Sequence, residues 1–330
     1  MDNFENFIVG AYATSPNLLK WNYAKEKKYL ENIKNNLKIR GLEIPFYGTF
    51  YKYDEDHFLS LLESKWKYVL TCLPGTMKAL EKNPNFGIAS DNKKSRLIAI
   101  GFYEKANKWV KKLNNYFGKK KVISVVLASA PSLKNYGVSS STHSLVKSLL
   151  EIASWDWFGA KLVIEHCDSG REKDSVKGFL SLDEEIRAIL EVNKISKNIL
   201  GLTINWARSA LEFKSVQGPI NHVRKAYKNK ILSGIMFSGT GPNSKFYGNW
   251  DDLHMPTNKE YYTKYYEKDS LLNYKNMKKT LSECDISKLL YIGIKVLSMP
   301  IKESSMERRI GINLDTMKVL NQSIIDINNE

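Results

Sequence analysis

The residue whose setting most needs an explanation is Glu165. It closes the run Ala160-Lys-Leu-Val-Ile-Glu-His-Cys-Asp168, which breaks into the polar stretch Asp168-Ser-Gly-Arg171. A mostly apolar run of this length between two helix-type segments reads as a strand buried on both faces, with a carboxylate at its carboxyl end. Burying an ionised carboxylate costs several kcal/mol unless a partner compensates it, so Glu165 either binds a cation or does chemistry. Lys295 poses the matching problem, because Tyr291-Ile-Gly-Ile-Lys-Val-Leu297 surrounds one ammonium with apolar residues. Opposite Glu165 it would be compensated, and each would hold the other charged. Three readings of Lys295 stay open: an ammonium that reaches water past the strand end, one that binds an anion or polarises a carbonyl, and a Schiff-base amine. Glu43, just before Pro45 in a short strand, serves either the site or a structural ion pair. His166 points away from Glu165 by alternation, which makes it a hydrogen-bonded packing histidine facing the helices.

The elements that must position these groups alternate. Strand-like runs at Phe7–Tyr12, Gly41–Phe46, Trp66–Thr71, Val122–Leu127, Ala160–Asp168, Leu200–Asn205, Ile231–Phe237 and Tyr291–Val296 are each followed by a helical period. The expected helices are Asn22–Leu37, Asp54–Ser64 with Asp54 as N-cap, Arg96–Phe117, Ser139–Ser154, Leu182–Val192, Pro219–Lys228, Leu271–Ser282 and Asp315–Asn328. Eight strands and eight helices in alternation predict parallel strands with right-handed crossovers, closed as a (β/α)8 TIM barrel, with residues 1–330 as one domain. No Gly-x-Gly-x-x-Gly follows the first strand, which weighs against a dinucleotide-binding sheet.

Active sites of such barrels form at the carboxyl ends of the strands. Those ends carry Tyr12, Glu43, Thr71, Ser129, Glu165 with His166, Asn205, Ser238 and Lys295. Parity puts Thr203 with Asn205, Met236 with Ser238 and Gly293 with Lys295 on shared inward faces. Long loops are expected after the third strand, from Pro74-Gly-Thr-Met77 to Phe86-Gly-Ile-Ala-Ser90, and after the seventh, from Ser238-Gly-Thr-Gly241 to Pro256. The second could bind phosphate through backbone N–H groups. Trp250, Tyr247, Trp155, Trp157 and Trp206 either pack or stack on a sugar face, and His254 is a further loop residue within reach of a site.

The formal charge of +15 is spread over short clusters such as Lys25-Glu-Lys-Lys28 and Lys119-Lys-Lys121. That pattern implies a solvated Lys-rich surface or an anionic small-molecule substrate ahead of a nucleic-acid partner. Cys72, Cys167 and Cys284 are odd in number and far apart, the usage of reduced thiols in a cytoplasm. The first residues lack the pattern of a secretory signal, and no run approaches the roughly 18 apolar residues of a membrane span.

The strand order, the Glu at the fifth strand's end and the segment Asp251-Asp-Leu-His-Met-Pro256 resemble the xylose-isomerase-like barrels: sugar isomerases, epimerases and family 2 apurinic endonucleases. More closely, Val9-Gly-Ala-Tyr-Ala13, Pro74-Gly-Thr-Met77, Ser154-Trp-Asp-Trp157, Ile164-Glu-His-Cys-Asp168, Ile204-Asn-Trp206 and Met236-Phe-Ser-Gly239 resemble a bacterial family of unknown function in that group. The wider resemblance implies a divalent metal held by Glu, Asp, His and Glu on strands five to eight. Here those positions read Glu165, Asn205, Met236 or Ser238, and Lys295. Asn offers one carbonyl oxygen, but an ammonium cannot ligate and repels a dication. Glu165, Asn205 and His254 remain weak candidate ligands, and no cofactor is assigned.

The expected chemistry is therefore proton abstraction beside a carbonyl of a carbohydrate or anionic sugar. Glu165, with Glu43, acts as base, Lys295 and Arg208 steady the enediolate, and Asn205, Ser238, His254, Trp250 and Tyr12 bind substrate. A non-catalytic carbohydrate-binding barrel, a Lys295 Schiff-base lyase and an endonuclease are the alternatives. Association between copies of the chain is left open.

Overall fold

A computed structural model describes residues 4–49, 55–170 and 175–329. The first half of the chain runs β1 (Phe4–Val9), α1 (Tyr23–Asn36), β2 (Ile39–Pro45), α2 (Glu55–Leu61), β3 (Lys67–Thr71), α3 (Leu73–Lys82), α4 (Lys93–Tyr116), β4 (Val122–Leu127) and α5 (Thr142–Ser154). The second half runs β5 (Lys161–His166), α6 (Leu182–Asn193), β6 (Gly201–Asn205), α7 (Trp206–Phe213), α8 (Gln217–Lys228), β7 (Leu232–Phe237), α9 (Tyr274–Leu281), β8 (Tyr291–Ile294) and α10 (Met306–Asn328). Each strand pairs in parallel with the next, and β8 closes on β1, which makes a closed (β/α)8 barrel. Among the described residues no helix is long and apolar enough to cross a membrane.

Strand alternation separates two cores. Inside the barrel, Ile8, Val69, Val126, Val163, Met236 and Tyr291 pack together. The Tyr291 hydroxyl lies 2.6 Å from Thr203 Oγ1 and fills the floor. Two residues further along the same faces of β3, β5 and β7 stand Thr71, Glu165 and Ser238, so an apolar layer carries a polar one toward the carboxyl ends. The opposite faces of the strands pack on the helices in one large apolar cluster. Several helices start where a short polar side chain accepts a backbone N–H: Asn22, Asn92, Ser141, Asn273 and Ser305, with a full capping box at Ser181 and Glu184.

The expected eight helices become ten among the described residues. Where the sequence predicts a loop after β3, the chain opens with α3, whose Pro74 occupies the first turn, where a missing N–H does no harm. Gly75 disguises this helix in the sequence. A Cβ there would lie 2.4 Å from Phe46 O, so close packing against the end of β2 requires glycine. The second unexpected helix, α7, is buried from Trp206 to Glu212 and so lacks the polar stripe by which a surface helix is recognised. The last helix begins at Met306, ahead of the expected Asp315. The expected N-cap Asp54 and the loop residue Arg171 lie outside the described residues.

Gly293 lets β8 approach β1 and the barrel interior together, since a Cβ would lie 2.0 Å from Ile8 O and 3.0 Å from Met236 Sδ. Gly293→Ala should destabilise the protein by about 1–3 kcal/mol through this overpacking. Urea unfolding checks it, and an unchanged midpoint would contradict the packing described.

Candidate functional site

Closing the barrel brings Glu43 from β2, Glu165 from β5 and Lys295, one residue beyond β8, to one mouth. All three are buried. Lys295 Nζ lies 2.9 Å from Glu43 Oε2 and 3.9 Å from Glu165 Oε2, one ammonium facing two carboxylates. Gly10 makes room for this contact, because a Cβ there would press on Lys295 Cγ at 2.8 Å. The Tyr12 ring lies beside the ammonium, its centroid 5.8 Å from Nζ.

Glu165 is tied down through one oxygen. Its Oε1 accepts from Asn205 Nδ2 at 3.0 Å and from Arg208 Nε at 3.2 Å, whereas Oε2 makes no hydrogen bond among the described residues. Asn205 Oδ1 in turn accepts from Ser238 Oγ at 3.2 Å, and His254 Nδ1 lies 3.2 Å from that hydroxyl. Glu43 Oε1 and Thr71 Oγ1 are buried and lack hydrogen-bond partners among the described residues.

The long loop after β7 closes this arrangement. It is braced by the Gly239–Met255 bridge, where both backbone hydrogen bonds form, and by Leu297 N–H donating to His254 O at 2.7 Å. His254 itself sits at φ 50°, a left-handed conformation uncommon outside glycine. The same loop supplies Asp252, whose Oδ2 lies 2.8 Å from Arg208 Nη1 and 3.3 Å from Lys177 Nζ. Arg208 is thus clasped between Glu165 and Asp252. Lys177 is placed by the loop after β5, where Asp168 Oδ2 accepts the N–H groups of Val176, Lys177 and Gly178.

These charges set one another's protonation. Burial alone would raise Glu165, but Lys295, Arg208 and the Asn205 N–H outweigh it and hold the carboxyl below its usual range. For Glu43 burial wins, with repulsion from Glu165, and its pKa is raised despite Lys295. Burial would neutralise Lys295, yet Glu165 and Glu43 hold it well above the usual lysine value. Asp252 is held low against burial by Arg208 and Lys177. Burial, with Lys295 and Arg208 nearby, lowers His254 to about 3, so its ring is neutral at physiological pH.

Of the residues singled out in the sequence, the mouth gathers Glu165, Lys295, Glu43, Asn205, Arg208, Ser238, His254 and Tyr12. Trp250 is half-buried in the loop at φ 55°, and its backbone N–H donates to Gly241 O; among the described residues no side-chain hydrogen bond or ring contact joins it to the charged cluster. Trp155 and Trp157 precede β5 and so sit at the opposite end of the barrel. Trp206 faces the helical layer, its indole donating to Thr280 Oγ1, and Tyr247 is buried with its hydroxyl donating to Leu297 O. The N–H of Gly239 is used in the loop bridge, so the Ser-Gly-Thr-Gly turn does not leave that donor free for phosphate. His166 does face outward, between Glu185 and Glu212, which raise it to about 10 although burial opposes them. Ser129 donates to Glu185 there and does not join the mouth. Sequence reasoning missed Asp252 and Lys177. The acidic pair Asp251-Asp252 two residues before His254 was a usable signal for the first; Lys177 carried none.

Residues 8–312 match the family described as a domain of unknown function, DUF4862, and the chain belongs to that family. It is 30% identical over 324 residues to the uncharacterized protein STM3670 of Salmonella typhimurium LT2, covering 98% of this chain and 99% of that one. Among solved structures, a xylose isomerase domain-containing protein of Salmonella typhimurium LT2 superposes with TM-score 0.58 at 10% identity, covering 98% of this chain and 100% of that one. D-psicose 3-epimerase, crystallised in the presence of D-fructose, gives TM-score 0.58 at 11% identity, covering 98% and 99%. At these identities the likeness is one of fold.

The divalent metal that this fold group implies does not fit the residues at the mouth. The oxygen of Glu165 that carries hydrogen bonds faces Arg208 and Asn205, the other faces Lys295, and Asn205 Oδ1 accepts from Ser238. Two fixed cations already stand where a dication would need oxygen or imidazole ligands.

Glu165 and Asp252 have folded pKa values below the usual carboxylate range. The stability they contribute is therefore present above about pH 4 and is lost as pH falls toward those lowered values. Asp252→Asn removes one of the two acids clasping the buried Arg208 and should cost about 3 kcal/mol at pH 7. The gap should narrow as pH falls below about 4, because Asp252 in the unfolded chain takes up a proton there while folded Asp252, held low by Arg208 and Lys177, does not. Urea unfolding across pH checks this; equal stability at pH 7, or parallel curves throughout, would be the contrary result.

Proposed function

We propose that this chain is a sugar or sugar-phosphate isomerase or epimerase. Glu165 removes a proton from the carbon beside a carbonyl while Lys295 and Arg208 stabilise the enediolate oxygen. The observation that carries this reading is the placement of two buried carboxyls around one buried ammonium, Lys295 Nζ 2.9 Å from Glu43 Oε2 and 3.9 Å from Glu165 Oε2, with Glu165 displaced toward the ionised form and Glu43 toward the neutral one. Environments that separate two such groups assign base and acid.

Glu165 Oε2 is the atom free to take the proton, since Oε1 is occupied. Glu43 delivers a proton, to the same carbon from its other side in an epimerisation or to the neighbouring carbon in an isomerisation, where the hydroxyl proton also passes from one enediolate oxygen to the other. A carboxylate held low is a weak base in the resting site. When a substrate oxygen draws the Lys295 ammonium toward itself, its hold on Glu165 loosens and the carboxylate gains basicity as the proton moves. Asn205, Ser238, the neutral His254 and Tyr12 bind substrate hydroxyls. The buried mouth holds cations against an anionic sugar or a developing enediolate, and the D-psicose 3-epimerase of like fold lends the substrate class. Schiff-base chemistry is less suited, because Lys295 is held as the ammonium and a nucleophilic amine must be neutral. The chain works as one barrel domain, and its three free thiols suit the cytoplasm.

A second reading, a carbohydrate-binding barrel without chemistry, draws on the replaced metal positions. Ketopentoses, ketohexoses and their phosphates incubated with the protein in deuterated water separate the two. Deuterium should appear beside the carbonyl by NMR, and Glu165→Gln should slow its entry by about 10²–10⁴-fold with the far-UV circular dichroism retained. Exchange at the wild-type rate in Glu165→Gln would end the catalytic assignment. Calorimetric binding of a sugar without exchange would establish the binding barrel in its place.

A further inference from the structure

Behind β5 the outward-facing His166 heads a second polar cluster, walled off from the mouth by the strand itself. His166 Nδ1 lies 2.7 Å from Glu185 Oε2 and Nε2 lies 2.9 Å from Glu212 Oε2. The His222 ring stands edge-on to that of His166 with centroids 4.7 Å apart, and its Nδ1 is 2.9 Å from Ser209 Oγ. One ligand-capable atom from each of His166, Glu212 and His222 lies within 4.8 Å of the other two. Glu212 and His222 also line a cavity of about 430 Å³ between the start of α6 and the α7–α8 turn.

We propose that His166, Glu212 and His222 form a site for a divalent transition-metal ion of the zinc type, with the cavity supplying its open coordination position. Two imidazoles and one carboxylate with a vacant fourth place is a zinc ligand set, and the paired imidazoles select against magnesium and calcium. Metal bonds of about 2.0–2.1 Å put tetrahedral ligand atoms roughly 3.3 Å apart, so modest side-chain closure completes the site. The supporting groups are in place. Metal-binding histidines hydrogen-bond through the other ring nitrogen, and here Glu185 faces that nitrogen of His166 while Ser209 faces that of His222. Binding releases the His166 Nε2 proton now shared with Glu212, and the dication takes over from the imidazolium in balancing Glu185 and Glu212. Among the described residues lining the cavity the one lysine, Lys225, is paired with Asp183 at 2.5 Å, which offsets its repulsion of an incoming cation.

Metal-free, full-length protein titrated with Zn(II), and in parallel with Co(II), tests the assignment independently of any activity. Calorimetry should show one equivalent of zinc, cobalt should develop the visible d–d bands of a four- or five-coordinate ion, and the melting temperature should rise with zinc but not with Mg(II). His222→Gln, which keeps an amide able to bond Ser209, and Glu212→Gln should each weaken zinc binding by at least about 100-fold. Glu165→Gln, at the barrel mouth, should leave the titration unchanged. Wild-type protein that takes up no zinc and develops no cobalt bands overturns the proposal. So does zinc binding that survives both His222→Gln and Glu212→Gln, or that disappears with Glu165→Gln.

Discussion

The mouth of this barrel depends on compensation among charges removed from water. Lys295 between Glu43 and Glu165, and Arg208 between Glu165 and Asp252, form a chain in which each cation serves two anions. No member could be buried alone, because stripping an ion of water costs several kcal/mol even after the protein relaxes. The members come from β2, β5, the end of β8, the first turn of α7 and the loop after β7. The chain of charges therefore exists only when the ring of strands is closed, and closure is what makes its burial tolerable.

Strand β5 organises both polar regions by the simplest rule a strand has. Glu165 and His166 are neighbours in sequence and face opposite ways, one into the barrel mouth and the other into the helical layer. Each is fixed by partners the other cannot reach: Asn205, Arg208 and Lys295 on one side, Glu185 and Glu212 on the other. Arg208 and Glu212 belong to the same buried helix, α7, so that short element braces both faces. This accounts for the near-complete burial of α7.

The strands were legible because parallel strands covered on both faces read as short apolar runs, and all eight overlap such runs, although the first begins at Phe4, ahead of the expected Phe7, and ends at Val9, with Ala11–Thr14 turning into a 3-10 helix. A Glu at the end of one and a Lys at the end of another were legible for the opposite reason, being residues that an apolar strand does not tolerate without a partner. What could not be read has physical causes. Burial all round erased the period of α7, and close packing at Gly75 interrupted that of α3. Asp252 and Lys177 lie on loops, where no periodicity says which way a side chain turns. The tryptophans misled because aromatic content does not distinguish the two ends of a barrel.

On the proposed reading, an ammonium in place of a metal changes what the site can be asked to do. A dication can hold two substrate oxygens at once and neutralise a full enediolate charge, whereas Lys295 is a single monovalent donor on a flexible stem. The two-point grip must then come from separate groups, and Arg208 and Asn205, both bonded to Glu165, are placed to share it. The exchange brings a coupling that a metal ligand set lacks. Because the same ammonium that would polarise a substrate oxygen also holds Glu165 ionised and sits against Glu43, any substrate that engages Lys295 must redistribute the charge on both carboxyls. On the proposed reading, binding and the readiness of the acid–base pair are then one event, set by where the Lys295 ammonium points.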